Sequence, residues 1–239
     1  MKRSVLFLAA AILLCAGLWS CDREENNGNN NEGNNGGGTA SVTWVDLGLP
    51  SGLLWADRNV GAQSPEDYGN YYAWGETSTK EVYDWSTYAY GNDYDALTKY
   101  CNMSNYGLNG FTDNLTTLEA SDDAATVNLG GNARTPRDYE WRELMDNTTA
   151  TRTTRNDVYG HLFTASNGKS IFLPAAGFRY GSGLYDAGED GNYWSSSLVT
   201  GIPSRAWYFD FDSYGQVMDL GSSNRSYGFS VRAVRASQN

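Results

Sequence analysis

The pattern of apolar and polar residues divides the chain into three parts. An apolar run over residues 5–14 follows two cationic residues, whereas residues 22–38 contain no apolar side chain. From Ser41 onwards, apolar and aromatic residues recur in short periodic segments. We therefore expect one folded domain over residues 41–239, preceded by two segments that contribute nothing to its core.

Alternation with a period of two predicts strands at both ends of this domain. Residues 41–46 and 53–60 flank a turn rich in Gly and Pro, which predicts an N-terminal hairpin. Five further strand candidates are residues 170–173, 193–198, 205–211, 216–220 and 228–235. In the third of these, Trp207, Phe209 and Phe211 share one face, which we expect to be buried. The intervening Tyr and Asp residues are expected to face water.

Capping signals predict two short helices in the middle of the domain. The first is expected over residues 121–129, where the initial Ser can cap it and Gly130 can end it. Thr135 is the predicted N-cap of the second helix, which Pro136 begins and which should end near residue 147. Two helices between a hairpin and a run of antiparallel strands indicate an α+β fold.

The composition favours a loop-rich fold and argues against nucleic acid as a partner. The chain has 17 Tyr, 8 Trp, 8 Phe and 27 Gly, which is typical of a loop-rich fold held together by aromatic side chains, or of a surface that stacks on ligands. Residues 61–114 show little periodicity, so we expect ordered loops there. The net charge of −11 would repel a phosphate backbone, so nucleic acid is not an expected partner.

The N-terminal apolar run is too short to cross a bilayer as a mature helix. Residues 18–21 read Leu-Trp-Ser-Cys and resemble a lipobox. We expect residues 1–20 to be a lipoprotein signal peptide and Cys21 to be acylated, which would anchor the protein to a lipid bilayer. An ordinary secretory signal with a chance Cys is the alternative. Residues 21–40 are then the lipidated Cys and an Asn/Gly tether, which we expect to be disordered.

Three acidic residues just after Cys21 bear on localisation. Asp22, Glu24 and Glu25 resemble the acidic export signal of Bacteroidetes lipoproteins that face the cell exterior. In other bacteria, an Asp directly after the Cys signals retention in the inner membrane, and a solvated acidic linker is a third interpretation. We expect an outer-membrane lipoprotein on the cell surface.

Sparse Cys and His residues restrict the possible chemistry. Cys101 is the only Cys of the predicted domain, so an intrachain disulfide cannot form there. His161 is the only His of the chain, so we interpret it as a structural residue of a strand. Glu140 and Glu143 lie three residues apart and could form the carboxylate pair of a glycosidase, but a solvated helix face explains them better. We expect no enzymatic activity.

Two polar segments of the C-terminal half are candidate sites. Asp186, Glu189, Asp190 and Asn192 form an oxygen-rich loop that could hold calcium, the one cofactor considered, with an acidic turn as the alternative. Residues 210–227 are dense in Asp, Ser, Asn, Tyr and Arg, which suit recognition surfaces, with ordinary turn chemistry as the alternative. The candidate ligand-binding residues there are Asp210, Asp212, Tyr214, Asp219, Asn224, Arg225 and Tyr227.

Eight motifs follow one another within residues 41–236, at residues 46–56, 59–62, 72–77 (Tyr-Ala-Trp-Gly-Glu-Thr), 97–101, 122–125, 171–177, 193–197 (Tyr-Trp-Ser-Ser-Ser) and 228–235. Taken in this order, they resemble the Fibrobacter succinogenes major paralogous domain, which is common in Bacteroidetes lipoproteins. The resemblance implies a C-type-lectin-like fold related to the formylglycine-generating enzymes. In such a fold, the C-terminal strand should pair with the N-terminal hairpin. No function follows from the fold alone.

The chain departs from this family in its Trp and Cys residues. Residues 133–136 read Ala-Arg-Thr-Pro where relatives carry Trp-Arg-Met-Pro, and residues 146–149 lack the Cys that relatives often place there. The cysteine pair of the formylglycine-generating relatives has no counterpart, because no Cys follows Cys101. These departures argue against a redox or catalytic role.

The sequence therefore predicts a cell-surface lipoprotein with a non-catalytic recognition module that binds a glycan or a protein. In relatives whose genes are diversified by retroelements, the part of the fold that corresponds to residues 210–227 carries the variable ligand contacts. A structural coat lipoprotein is the alternative, and a hydrolase acting on surface polysaccharide is a less favoured one.

Overall fold

A computed structural model describes residues 41–212 and 218–237 of the chain. The predicted signal peptide, Cys21 and the tether lie outside the described residues, as does Tyr214. Residues Thr39–Asn239 form one compact unit. Within the described ranges, no helix is both long enough and apolar enough to span a membrane.

Strands dominate the described part, and the two α-helices lie in its middle. The elements in chain order are β1 (Trp44–Asp46), β2 (Leu53–Asn59), β3 (Tyr71–Tyr72), α1 (Ala124–Leu129), α2 (Asp138–Asn147), β4 (Thr148–Arg155), β5 (Val158–Ala165), β6 (Ser170–Pro174), β7 (Phe178–Tyr180), β8 (Gly183–Tyr185), β9 (Gly191–Leu198), β10 (Arg205–Phe211), β11 (Met218–Asn224), β12 (Phe229–Ser230) and β13 (Arg232–Ala236), with 3₁₀ turns at Trp85–Thr87 and Leu108–Gly110. This mixture confirms the predicted α+β class.

The two ends of the domain share one sheet. Strand β2 lies between β1 and β13, with Trp44 opposite Ala56 and Val234 opposite Trp55. The predicted N-terminal hairpin and its pairing with the C-terminal strand are both confirmed. A larger sheet has the order β11-β10-β9-β12-β3, and two further sheets are formed by β4-β5-β6 and by β7-β8.

Both helices begin later than the sequence suggested, and Asp123 binds at the start of the first and to the residue expected to cap the second. Asp123 is the N-cap of α1 and accepts from the backbone N–H groups of Ala125 and Thr126. The same carboxylate accepts from the backbone N–H and hydroxyl of Thr135. Thr135 is therefore not the cap of α2, which Arg137 precedes instead. The predicted end of α2 at residue 147 is confirmed.

Two hairpins show no clear signal in the apolar pattern. Strand β4 reads Thr-Thr-Ala-Thr-Arg-Thr-Thr-Arg, which lacks apolar alternation, yet it pairs along its whole length with β5. The short hairpin of β7 and β8 was also not predicted. Strand β11 extends to Asn224, four residues beyond the predicted end.

The core on one side of the large sheet is built around α2. Trp141 stacks on Phe209 at 4.8 Å and meets the edge of Trp55 at 4.9 Å between ring centroids. Phe209 and Phe211 are buried in this cluster, as predicted. On the other side of β10, Tyr208 is half-buried because its ring packs against Phe229 at 4.9 Å. The expectation that Tyr208 faces water is therefore wrong.

Candidate functional site

The hairpin of β7 and β8 presents two exposed tyrosines. Tyr180 and Tyr185 are 49% and 47% exposed. The ring of Tyr180 lies 4.9 Å from that of Tyr227, and Phe178 stacks on Tyr185 and on Tyr227 at 5.7 and 6.1 Å. Gly181 begins the two-residue turn with a φ of +53°, which glycine adopts without strain. The result is a surface cluster of aromatic rings supported from below by Phe178.

Beside this cluster, strand register aligns polar side chains in a row. Asp210 on β10 lies opposite Asn192 on β9 and opposite Asp219 on β11. Directly opposed residues project to the same face of a sheet, and the neighbouring Phe209 and Phe211 project to the core side. The large sheet therefore carries an Asn-Asp-Asp row across three strands on its outer face.

The strand register of the row also affects the ionisation of its central carboxylate. Burial, followed by repulsion from Asp219, Asp190 and Asp212, raises the pKa of Asp210 to about 6. Like charges on directly opposed residues destabilise a sheet. Burial raises the pKa of Tyr208 to about 12, with Asp210 and Asp190 adding to the effect. The row therefore lowers the stability of the fold, and a carboxylate with a perturbed pKa is a candidate for a binding or catalytic residue.

Asn192 adds a hydrogen-bond donor to the row. Its side chain is 8% exposed, and its Nδ2 has no hydrogen-bond partner among the described residues. Leaving a buried donor unpaired costs about 1–3 kcal/mol. An acceptor oxygen supplied by a ligand would recover part of that cost.

A chain of ring contacts joins the aromatic cluster to β10, the strand that carries Asp210 of the polar row. Phe178 contacts Phe229 at 6.0 Å, and Phe229 contacts Tyr208 at 4.9 Å. The backbone N–H of Gly177 donates to the carbonyl of Asp190 at 2.7 Å, which ties the hairpin to the start of β9. We call the cluster and the row, with Asp190, the tyrosine–aspartate face; it comprises Tyr180, Tyr185, Tyr227, Asp190, Asn192, Asp210 and Asp219.

Among the predicted ligand-binding residues, Asp210, Asp219 and Tyr227 belong to this face. Asp212 follows β10, is half-buried, and acts on Asp210 through its charge. Asn224 lies at the other end of β11, opposite Arg205, and is therefore several residues from the polar row. Tyr214 lies outside the described residues.

The prediction that Arg225 binds a ligand is wrong. Its side chain is fully buried, and its guanidinium donates to the carbonyl oxygens of Tyr100, Pro203 and Lys99 at 2.9–3.0 Å. It also donates to the hydroxyl of Tyr88. A buried guanidinium needs such partners, and here they hold together loops that are distant in sequence.

The calcium prediction gains no support from the described residues. They contain no group of three or more His, Cys, Asp or Glu side chains placed to hold a metal ion. Asp186 and Asp190 close a tight turn through a backbone bond of 2.9 Å, and Asp186 and Glu189 are exposed. Asp190 and Asn192 instead contribute to the tyrosine–aspartate face.

The other titratable candidates have structural surroundings. His161 is buried on β5, 4.5 Å from the ring of Phe211, and burial together with the charge of Arg152 lowers its pKa. Burial raises the pKa of the Cys101 thiol, which donates to the carbonyl of Met103. Neither group has the activation that a nucleophile or base requires.

The expectation of a solvated face for Glu140 and Glu143 is wrong for the first of them. Glu140 is buried and forms a bidentate pair with Arg134 at 2.6 and 2.7 Å. Glu143 accepts from the backbone N–H and hydroxyl of Ser51. Both carboxylates therefore stabilise the start of α2 and the first hairpin rather than forming a catalytic pair.

Two residues of the tyrosine–aspartate face were not identified from the sequence. Tyr180 directly precedes Gly181 and Ser182, and Tyr185 follows three residues after them; a Gly-Ser pair between two short segments that contain aromatic residues is a hairpin signal. That signal, together with the two terminal tyrosines, could have indicated an exposed aromatic hairpin.

Comparison with known proteins gives one partial match. The model of a family described as a domain of unknown function, DUF8237, matches residues 140–234. That segment begins in α2, ends in β13 and includes every residue of the tyrosine–aspartate face. No curated protein matches the chain, and no solved structure does.

Proposed function

We propose that this protein is a non-catalytic recognition module that binds a glycan through the tyrosine–aspartate face. One observation carries the proposal: ring contacts from Tyr185 through Phe178 and Phe229 reach Tyr208 on β10. The half-exposed tyrosines are thereby connected to the strand whose Asp210 lies opposite Asn192 and Asp219. Carboxylates accept hydrogen bonds from sugar hydroxyls, and an amide donates to sugar oxygens. Aromatic rings cover the apolar C–H face of a pyranose. The face combines all three kinds of contact.

The proposal also includes the setting of this module. We infer a C-type-lectin-like domain of the Fibrobacter succinogenes major paralogous type, which the motif order and the pairing of β13 with β2 support. We infer further that an acylated Cys21 anchors it to the outer membrane, facing the cell exterior. A glycan-binding face would there have direct access to polymers outside the cell.

A hydrolase acting on polysaccharide is the second candidate, and one observation favours it over a coat role. Asp210 and Asp219 face each other across two strands, and the pKa of Asp210 is raised to about 6. Glycoside hydrolysis requires two carboxyl groups, one of which acts as the acid when its pKa is raised. A purely structural coat protein would not require a row of like charges that destabilises the sheet.

A glycan array tests the proposal. We would use the chain from Asp22 onwards, which contains the compact unit Thr39–Asn239 and cannot be acylated at Cys21. The double variant Tyr180→Ala, Tyr185→Ala should lose binding by at least about tenfold, since each aromatic contact contributes roughly 0.5–1.5 kcal/mol beyond its buried area. Tyr94→Ala is the matched control, because Tyr94 is 54% exposed on a different segment.

Two results would contradict recognition at this face. The first is a glycan that binds the double variant as tightly as it binds the unaltered protein. The second is release of reducing sugar from a bound polysaccharide, abolished by Asp210→Asn or Asp219→Asn, which would replace recognition with hydrolysis.

A further inference from the structure

A groove of about 490 Å³ lies on the other side of the β7–β8 hairpin. Its walls come from residues 69–71, from Thr79–Glu81 with Tyr83, and from Arg179 and Ser182 of the hairpin. Successive side chains on a strand point to opposite faces, so Arg179 projects away from its neighbours Phe178 and Tyr180. The groove is therefore distinct from the tyrosine–aspartate face.

Arg179 is positioned in this groove with its guanidinium available. The guanidinium lies over the ring of Tyr71, 5.2 Å from the centroid. The backbone of Arg179 is fixed by two hydrogen bonds with Gly228, at 2.8 and 2.9 Å. None of the ion pairs among the described residues includes Arg179. An arginine held on an aromatic ring presents its planar fork of N–H donors to a carboxylate.

The other two charged side chains that line the groove, Lys80 and Glu81, are less suited than Arg179 to bind an anion. The ammonium of Lys80 is already bound to the carboxylate of Glu76 at 2.8–2.9 Å and to the carbonyl of Thr87 at 3.1 Å. Glu81 is exposed at the same groove and repels an anion. An anionic ligand would thus bind through Arg179, with Glu81 reducing its affinity.

We propose that this groove binds the carboxylate of an acidic sugar such as a hexuronic acid. Its volume lies within the range of small-molecule sites, about 300–1,000 Å³. Exposed hydroxyls of Thr79 and Ser182 line it beside Arg179, and they can bond to ring hydroxyls while the guanidinium binds the carboxylate. The proposal does not depend on a glycan binding to the tyrosine–aspartate face.

Titration calorimetry with galacturonate, galactose and acetate tests this site, again on the chain from Asp22 onwards. Galacturonate should bind, and galactose should bind at least about tenfold more weakly because it lacks the charge-assisted bonds. Arg179→Gln should reduce the affinity for galacturonate about 10- to 100-fold. The affinity of Arg179→Lys should lie between those of Arg179→Gln and the unaltered protein, since lysine keeps the charge but not the planar set of N–H donors. Arg142→Gln is the matched control, at an exposed position of α2.

Glu81→Gln provides a test that a loss of folding cannot mimic. Removing a repelling exposed carboxylate should increase the affinity for galacturonate about two- to fivefold. The double variant Tyr180→Ala, Tyr185→Ala should leave this affinity unchanged, which separates the site from the proposed glycan face. Equal affinity for galacturonate in Arg179→Gln, equal binding of galactose, or equal binding of acetate would each overturn the proposal.

Discussion

At the scale of single residues, Asp210 links stability to the proposed binding face. Its carboxyl is half-buried, and it lies opposite Asp219 on the next strand. Burial and the neighbouring carboxylates raise its pKa to about 6 in the folded protein, well above the value of an unfolded Asp. The folded state therefore binds more protons than the unfolded state between about pH 4 and pH 6.

The consequence is a stability that falls as the pH rises through this window. Asp210→Asn removes the ionising group while keeping its shape, so it should raise the free energy of unfolding by about 1 kcal/mol at pH 7.5, after allowance for solvent screening. The gain should shrink as the pH falls through 6 and vanish near pH 4. Thermal melts at a series of pH values measure it, with Asp95→Asn, on an exposed loop, as control. A lower melting temperature for Asp210→Asn at pH 7.5 would contradict this account.

At the scale of elements, the two helices depend on one buried side chain. Asp123 accepts from two N–H groups of α1 and from the backbone and hydroxyl of Thr135 before α2. The carboxylate is only 3% exposed, so losing it would leave several buried donors unpaired. Its role couples the start of α1 to the approach of α2.

Asp123→Ala should therefore lower the free energy of unfolding by about 3 kcal/mol, the sum of a lost cap and lost buried hydrogen bonds. Ser121→Ala is the control, because the exposed Ser121 bonds to no described residue other than its neighbour Asp122; its effect should stay below about 0.5 kcal/mol. Urea denaturation of both variants measures these changes in the free energy of unfolding. A larger loss for Ser121→Ala would restore Ser121 as the cap.

At the scale of the whole molecule, the sheet of β1, β2 and β13 brings the domain's two ends together. β13 pairs with β2, and the backbone of Val234 also exchanges two hydrogen bonds with Arg134, before α2. Arg232 is fully buried and donates to Asn59 and to the carbonyls of Ala56 and Phe172. The first and last strands thus share partners with the middle of the chain.

We propose that membrane attachment depends on acylation of Cys21, because residues 18–21 resemble a lipobox. The variant Cys21→Ala should appear in the soluble fraction, whereas the unaltered protein should stay with the membrane. Intact-mass analysis of the latter should show loss of residues 1–20 and gain of acyl groups. Cys21→Ala in the membrane fraction would contradict lipidation, and protease treatment of whole cells would test exposure on the exterior.

The sequence by itself determined what depends on neighbours along the chain. Alternation placed β10 at residues 205–211 with Phe209 and Phe211 facing inward, and turn residues placed the hairpin of β1 and β2. The end of α2 also followed from the local pattern. The apolar pattern did not predict the threonine-rich β4, because pairing with β5 rather than its own apolar content holds this strand in the sheet.

Only the tertiary structure decided which distant residues meet. Strand register aligned Asn192, Asp210 and Asp219, whereas local composition made Asp210 and Arg225 equally plausible ligand contacts. Arg225 is buried because carbonyl oxygens from loops more than 100 residues earlier, such as that of Tyr100, converge on it. A local pattern records the polarity of a side chain but not its partners across the fold, and those partners separate a binding residue from a structural one.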